Sequence, residues 1–184
     1  MHRLYWFTAT LFLAAGVHAA FVLAMPAFML QRSITRISSE IGTNAFFVLP
    51  AEEQRRLFPA YPPLSVVGAC AFDVAKGPVD FIADMPAGFW TLTIYSSSGN
   101  VIYALNDTQA GTGRFTVNLK KAPGLLEMLS QTSSDTPINM TGWNVSTAEP
   151  TGLAVLWQPV AEAALRPGMV RSFGKTICKQ VEEE

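Results

Sequence analysis

The strongest constraint on this chain is the uncharged run over residues 4–30, which contains no Asp, Glu, Lys or Arg. As a helix this run would be about 40 Å long, at roughly 1.5 Å per residue, whereas a bilayer core needs only about 20 residues. Tyr5 and Trp6 lie at its start, where interfacial aromatic residues are favoured. The run therefore predicts a transmembrane anchor, preceded by a short cytoplasmic start at residues 1–3.

A cleaved signal peptide is the alternative interpretation of the same run. The segment Val17-His18-Ala19 has the small residues of a cleavage site, which would place the cut after Ala19. However, the apolar run continues to Leu30, so a mature chain beginning at Ala20 would expose a long apolar tail. We therefore favour a retained signal anchor and keep cleavage as the alternative.

Charges beside the run bear on its orientation. Arg3 precedes it and Arg32 and Arg36 follow it, so the positive charges on its two sides nearly balance. A single amino-terminal span followed by a long domain usually exports that domain. We expect a single-pass protein of the bacterial inner membrane with residues 43–184 in the periplasm. Isoleucines at helical spacing predict an amphipathic juxtamembrane helix over residues 31–42.

The apolar pattern changes to a period of two from Val66 onward, with turn signals about every ten residues. This pattern predicts a mainly β fold, an antiparallel β-sandwich or jelly-roll-like domain with short helices. Clean alternation in two predicted strands assigns five residues to the interior: Trp90, Leu92, Ile94, Phe115 and Val117.

Two short helices are predicted within this β-rich domain. One covers residues 123–130 and is followed by a polar loop over residues 130–137. The other is a C-terminal helix over residues 167–181. Its apolar stripe consists of Val170, Phe173, Ile177 and Val181.

Composition excludes several classes of function. The chain has 13 basic and 14 acidic residues, so it lacks the positive field of a nucleic-acid-binding protein. Its only histidines, His2 and His18, precede the domain, which excludes a Ser-His-Asp or Cys-His catalytic pair and a histidine-based zinc site within it. We expect no metal, no cofactor and no catalytic residue of these kinds.

Two cysteines, Cys70 and Cys178, lie 108 residues apart, so the chain has no C-x-x-C redox motif. In an oxidising periplasm such a pair is expected to form a disulfide. The alternative is two unrelated buried thiols, as in a cytosolic protein. We favour the disulfide and expect it to fix the C-terminal helix to the sheet.

Candidate binding residues are few. Asp73 and Asp107 follow predicted strands at turns, where such side chains usually bond backbone amides. Tyr95, Tyr103 and Trp143 are aromatic residues that would line a ligand groove, although most aromatic residues in a sandwich belong to its core. These five are the binding candidates.

Several segments resemble the short, membrane-anchored branch of the domain-of-unknown-function 1254 family. The resemblance covers most of residues 43–119, including Cys70-Ala71-Phe72-Asp73, the Gly77-Pro78 turn, the strand Phe89–Tyr95 and the closing Asn106-Asp107. The family often has an arginine directly after that Asn-Asp pair, and this chain has threonine there. The resemblance implies a β-rich envelope domain and a companion protein carrying the related domain of unknown function 1214. It implies no reaction.

These observations predict an envelope protein that works by binding a protein partner or an envelope lipid or glycan. One alternative is a histidine-free envelope enzyme that uses carboxylates, which would need two of them within about 10 Å in a cleft. Another is a structural subunit of a two-protein membrane complex, which would show a large exposed apolar patch.

Overall fold

A computed structural model describes residues 2–111, 113–124 and 142–181. The helix predicted to begin at Pro123 and the polar loop after it lie almost entirely in 125–141, outside the described residues. The first element is one long helix, α1 (His2–Ile41), which joins the predicted anchor and the predicted juxtamembrane helix without a break. No glycine or proline lies between Met29 and Ile41, so nothing interrupts the helical hydrogen bonds there. The helix ends at Gly42, whose φ of +87° is readily adopted by glycine.

In the described part of the chain, nine strands and three short helices follow α1. The strands are β1 (Phe46–Val48), β2 (Ser65–Asp73), β3 (Val79–Asp84), β4 (Thr91–Ser96), β5 (Val101–Asn106), β6 (Arg114–Lys121), β7 (Trp143–Thr147), β8 (Thr151–Pro159) and β9 (Ile177–Gln180). The short helices are α2 (Ala51–Leu57), α3 (Asp107–Ala110) and α4 (Arg166–Phe173), with one 3-10 turn at Ala163–Leu165.

The strands form two sheets, as the alternating pattern predicts. One sheet has the order β1-β2-β8-β4-β5 and the other has the order β7-β6-β3-β9. Every pairing is antiparallel except that of β6 with β7, which is parallel. The predicted β domain with short helices is therefore confirmed, with one mixed sheet.

The inter-sheet core lies between these two sheets. Trp90, Leu92, Ile94, Phe115 and Val117 are each at most 3% exposed, which confirms the predicted faces. The rings of Trp90 and Phe115 stack with their centroids 4.6 Å apart, so residues from the two sheets contact each other directly.

A second core, the helix-covered core, lies on the opposite face of the five-stranded sheet. There Ile37 from α1 packs against a small-residue surface formed chiefly by Val67, Ala69 and Ala71 of β2. Because β2 is covered on both faces, eight of its nine residues are buried. The C-terminal third of α1 is thus part of the folded domain, whereas its first half projects away from it.

The predicted helix over residues 167–181 is wrong in its second half. The helix α4 ends at Phe173, and the chain turns at Gly174 and continues as β9, which pairs with β3. Residues after the turn alternate between buried and exposed, with Cys178 buried and Ile177 45% exposed. The free edge of β3 supplies backbone partners for this segment, and that pairing overrides the apolar spacing through Ile177 and Val181.

The predicted disulfide between Cys70 and Cys178 is present, with the two Cα atoms 6.4 Å apart. Because Cys178 lies on β9, the bond does not fix a helix to a sheet. It connects β2 of one sheet with β9 of the other, and so crosses the inter-sheet core.

Candidate functional site

The five predicted binding residues do not converge on one site. Asp73 ends β2 opposite Thr151 of β8, whereas Asn106, directly before Asp107, pairs with Thr91, which in turn pairs with Trp157 of β8. Six residues of β8 separate the two positions, which corresponds to about 20 Å along the strand.

Both aspartates have local structural roles. The Asp73 carboxylate accepts a 2.8 Å hydrogen bond from the backbone N–H of Ala75, which forms an Asx turn. The backbone of Asp73 is also bonded in both directions to the side-chain amide of Asn44. Asp107 opens α3, whose start is capped by reciprocal hydrogen bonds between Asn106 and Gln109.

Tyr103 and Trp143 lie on the edge strands β5 and β7, and both pack against the inter-sheet core. Burial raises the pKa of Tyr103 above its usual value. They lie on the side of the sandwich where the edge strands β5 and β7 contact each other.

Tyr95 is the candidate that lies beside a groove. It projects from β4 toward α1, on the helix-covered face of the sheet. Burial, together with a hydrogen bond between the two hydroxyls, raises the pKa of its neighbour Tyr61 to about 12. The Tyr61 ring stacks on Trp157 with a centroid distance of 5.3 Å. The hydroxyls of Tyr61 and Tyr95 therefore lie together in an aromatic wall.

This groove runs between α1, α2 and the segment Phe58–Tyr61, and we call it the α1–α2 groove. Its lower part, nearer the apolar half of α1, has a volume of about 420 Å³. The side chains that line it are almost all apolar or aromatic: Pro26, Met29, Leu30, Leu57, Phe58 and Tyr61, with Tyr95 and Ser33 as further members.

The upper part of the α1–α2 groove has a volume of about 590 Å³ and adds polar and cationic side chains to the apolar Phe28, Met29 and Leu57. It shares Met29, Ser33 and Leu57 with the lower part, so the two parts adjoin each other. Its cationic residues are Arg32 and Arg36 of α1 and Arg56 of α2. The α1–α2 groove is thus amphipathic along the helix axis, apolar at one end and positive at the other.

Ion pairs neutralise part of this positive charge. The Arg36 guanidinium lies 3.0 Å from Glu40 and 3.5 Å from Glu53, and Arg56 lies 3.8 Å from the same Glu53. In residues 2–111, 113–124 and 142–181 no carboxylate forms an ion pair with Arg32. Three arginines and two glutamates therefore leave one net positive charge at this end, on an exposed side chain.

The wall beside the lower groove is positioned by a buried polar network. The Gln54 side-chain amide donates to the Ser65 hydroxyl at 2.6 Å and to the Pro62 carbonyl at 3.2 Å. Ser65 also donates to Pro62 at 2.6 Å. These bonds fix α2 to the start of β2 and so hold the intervening segment Phe58–Tyr61 in place.

The β4–β5 loop fixes α1 at the same level. The Gln31 amide donates to the Ser97 carbonyl at 2.8 Å, and a Cβ placed on Gly99 would lie 3.5 Å from the Ala27 backbone. Glu149 holds this loop by accepting hydrogen bonds from the hydroxyls of Ser97 and Ser98. Those bonds lower the pKa of the Glu149 carboxyl.

A catalytic carboxylate pair would need to be free of other partners. Glu40 and Glu53 both line a smaller cleft beside Ile37, but both bind Arg36. Over the ranges that the structure describes, no group of three or more His, Cys, Asp and Glu side chains is placed to hold a metal ion.

The groove itself was not predicted from the sequence. Its signal was Arg32 and Arg36, four residues apart and hence on one helix face, directly after the apolar run. No sequence pattern indicated that Arg56 and Tyr61 line the groove, because their positions depend on how α2 packs against α1.

Comparison with known proteins shows that the fold of this chain is similar to that of a solved structure. No protein-family model matches the sequence, and no curated protein matches it significantly. The crystal structure of the VPA0106 protein from Vibrio parahaemolyticus superposes with a TM-score of 0.59 and 14% identity, over 86% of this chain and 38% of that one. A putative uncharacterized protein from Burkholderia cenocepacia gives a TM-score of 0.43 and 16% identity, over 66% of this chain and 32% of that one. The chain thus spans less than two-fifths of the length of either protein.

The likeness to the Vibrio protein shows a shared fold. The resemblance to the domain-of-unknown-function 1254 family stays a resemblance. An apolar amino-terminal helix, signal or anchor, together with a disulfide-bearing β domain indicates an extracytoplasmic domain.

Proposed function

We propose that this chain is a signal-anchored, single-pass protein of the bacterial inner membrane whose periplasmic β domain binds an envelope component at the bilayer surface. The observation that carries the proposal is the continuity of α1, which runs from the apolar span into the helix-covered core without a break. A domain on such a helix is held close to the membrane in a fixed orientation.

The level at which α1 meets the domain supports this arrangement. Counted from Phe7, just after the interfacial pair Tyr5 and Trp6, the first contact with the β4–β5 loop at Pro26 lies about 29 Å along the helix. A bilayer hydrocarbon core is about 30 Å thick. The domain therefore begins where the hydrocarbon of the membrane would end.

Exposure of the span supports retention rather than cleavage. Side chains such as Phe12 and Leu23 are 78% and 81% exposed, and the domain covers none of this half of α1. Cleavage after Ala19 would leave Phe21, Leu23 and Phe28 in water, each an apolar side chain that costs free energy to hydrate.

Carboxy-terminal fusions test this proposal. We expect alkaline phosphatase fused after residue 184 to be active and a fluorescent protein that matures only in the cytoplasm to stay dark. Intact mass of the membrane-extracted chain should include residues 4–30. Inactive phosphatase with a bright fluorescent fusion would refute the orientation, and a mature amino terminus at Ala20 would refute the anchor.

A companion polypeptide is a second candidate for the bound component. The supporting observation is that the fold covers 86% of this chain but only 38% of the Vibrio protein, so a longer relative carries a large additional part in the same chain. A separate protein carrying a domain of unknown function 1214 would supply that part. Tagged full-length chain purified from detergent-solubilised membranes should bring down such a protein in stoichiometric amount; a native mass equal to one chain, or to copies of this chain alone, would contradict the idea.

A further inference from the structure

We propose that the α1–α2 groove binds one anionic phospholipid of the adjoining membrane leaflet, with its phosphate at Arg32 and an acyl chain along the lower groove. The inference rests on the proposed function in one respect, because it requires α1 to cross the bilayer. It goes further by naming the ligand class and its orientation.

The depth of the groove in the membrane is the first argument. Counted again from Phe7, Met29 lies about 33 Å along α1 and Arg32 about 38 Å. The hydrocarbon layer of about 30 Å ends just before Met29, and the next few ångströms are the headgroup layer. The apolar end of the groove therefore begins at the edge of the hydrocarbon layer, where an acyl chain can enter it, and its cationic end lies in the headgroup layer beside phosphates.

The order of apolar and cationic side chains along the groove is the second argument. Apolar side chains at Pro26, Met29 and Leu30 come first, and the arginines at positions 32 and 36 come one to two turns later. A lipid of the adjoining leaflet presents its groups in this same order, acyl chain before phosphate. A soluble anion would need only the upper part, and an apolar peptide only the lower part.

Charge complementarity is the third argument. The upper groove carries one net positive charge, and Arg32 has no carboxylate partner among the described residues. A phosphodiester carries one negative charge, and a guanidinium binds phosphate through two parallel hydrogen bonds. Headgroups with no net charge place an ammonium near the phosphate and offset this attraction, so the groove favours anionic phospholipids such as phosphatidylglycerol.

Native mass spectrometry of full-length protein in mild detergent tests the inference. Phosphatidylglycerol and phosphatidylcholine of identical acyl chains are titrated separately, with glycerol 3-phosphate as a soluble probe of the headgroup alone. We expect one phosphatidylglycerol per chain to be retained at least tenfold more strongly than phosphatidylcholine, and no retained glycerol 3-phosphate.

Two variants locate the site, and a third is the control. Arg32→Glu should reduce phosphatidylglycerol retention at least tenfold, and Met29→Trp, at a side chain already 42% exposed, should reduce retention of both lipids by filling the groove. Arg171→Glu makes the same charge change on the exposed face of α4 and should leave retention unchanged. Retained near-ultraviolet circular dichroism shows that each variant is folded.

Failure of this inference differs from failure of the proposed function. Equal retention of the two lipids, or equal loss with Arg32→Glu and Arg171→Glu, would overturn the lipid site while the fusion reporters still placed the domain in the periplasm. Glycerol 3-phosphate binding as tightly as phosphatidylglycerol would overturn the lipid as the source of the phosphate.

Discussion

The inter-sheet core and the helix-covered core share the five-stranded sheet as a common wall but are built differently. The inter-sheet core is filled by large aromatic side chains, including Trp90 and Phe81, and is crossed by the disulfide. The helix-covered core combines the small side chains of β2 with Leu153 and Val155 of β8 and with partly buried aromatic side chains at its margin, where the α1–α2 groove lies. Large interlocking side chains fill the inter-sheet core on one face of the five-stranded sheet. On its other face, the single narrow helix α1 leaves the surface partly open for a ligand.

The largest effect should come from the centre of the inter-sheet core. Trp90→Ala removes a fully buried ring stacked on Phe115 and should lower the free energy of unfolding by about 3–5 kcal/mol. Thr91→Ala, at the adjacent half-buried position, should cost far less. Urea denaturation of the full-length protein in micelles measures both. Equal midpoint shifts would show that the two faces of β4 are not distinguished as described.

The disulfide should rank second. Replacing Cys70 and Cys178 together by serine should lower the free energy of unfolding by about 2–5 kcal/mol, because the bond closes a loop of more than 100 residues. Hydrogen exchange should increase first in the edge strand β9, which then retains only its pairing with β3. Thiol labelling of denatured, unreduced protein should detect no free thiol; two reactive thiols per chain would contradict both the bond and the export of the domain.

The helix-covered core should be less sensitive. Ile37→Ala removes a side chain that is 2% exposed, and should cost about 2–3 kcal/mol, at the lower end for such truncations. The reason is that Ile37 borders an open cleft with Phe47 and Leu49, into which neighbours can shift. Leu23→Ala, on the exposed half of the same helix, should leave domain unfolding unchanged. A cost for Ile37→Ala equal to that of Trp90→Ala would erase the contrast between the two cores.

The smallest effect is electrostatic and concerns the loop that holds α1. Hydrogen bonds from Ser97 and Ser98 lower the pKa of Glu149, so its contribution to stability is present above the unfolded pKa and is lost as the pH falls through the folded pKa. Because Glu149 is partly exposed, we expect less than about 1 kcal/mol. Glu149→Gln should reduce the dependence of the free energy of unfolding on pH in the acid range. Glu162→Gln, which removes an exposed carboxylate, is the control and is measured in the same way. Identical curves for both variants and the parent would show that the carboxylate does not hold the loop.

The features that depend on the pattern within one segment could be predicted from the sequence, whereas the features that depend on contacts between distant segments could not. The alternation around Trp90 and Phe115 reports directly on burial, so the sandwich and its interior faces were predictable. The pairing of Cys70 with Cys178 was also predictable, since only two cysteines exist. Strand β9 was not, because its apolar spacing also fits a helix and only the edge of β3 decides between the two.

The site was harder to predict for the same physical reason. Aspartates at turns and aromatic residues on strands are typical of a binding site, yet Asp73 and Asp107 proved to cap local backbone and Tyr103 and Trp143 to close the core rim. Tyr95 alone borders a groove. The α1–α2 groove is made by packing between distant segments, and no pattern within one segment encodes it.

Hydrogen exchange across α1 in lipid nanodiscs tests the central claim most directly, namely that one unbroken helix joins the membrane span to the domain. We expect amides from residue 29 to residue 41 to be protected as strongly as those of β2, because they are helical and Ile37 is anchored in the helix-covered core. The Leu49 amide, which donates to the Val67 carbonyl between β1 and α2, gives the reference for a fixed but non-helical position. Fast exchange confined to residues 30–34 would show a hinge between span and domain, and would contradict both the fixed orientation and the groove that depends on it.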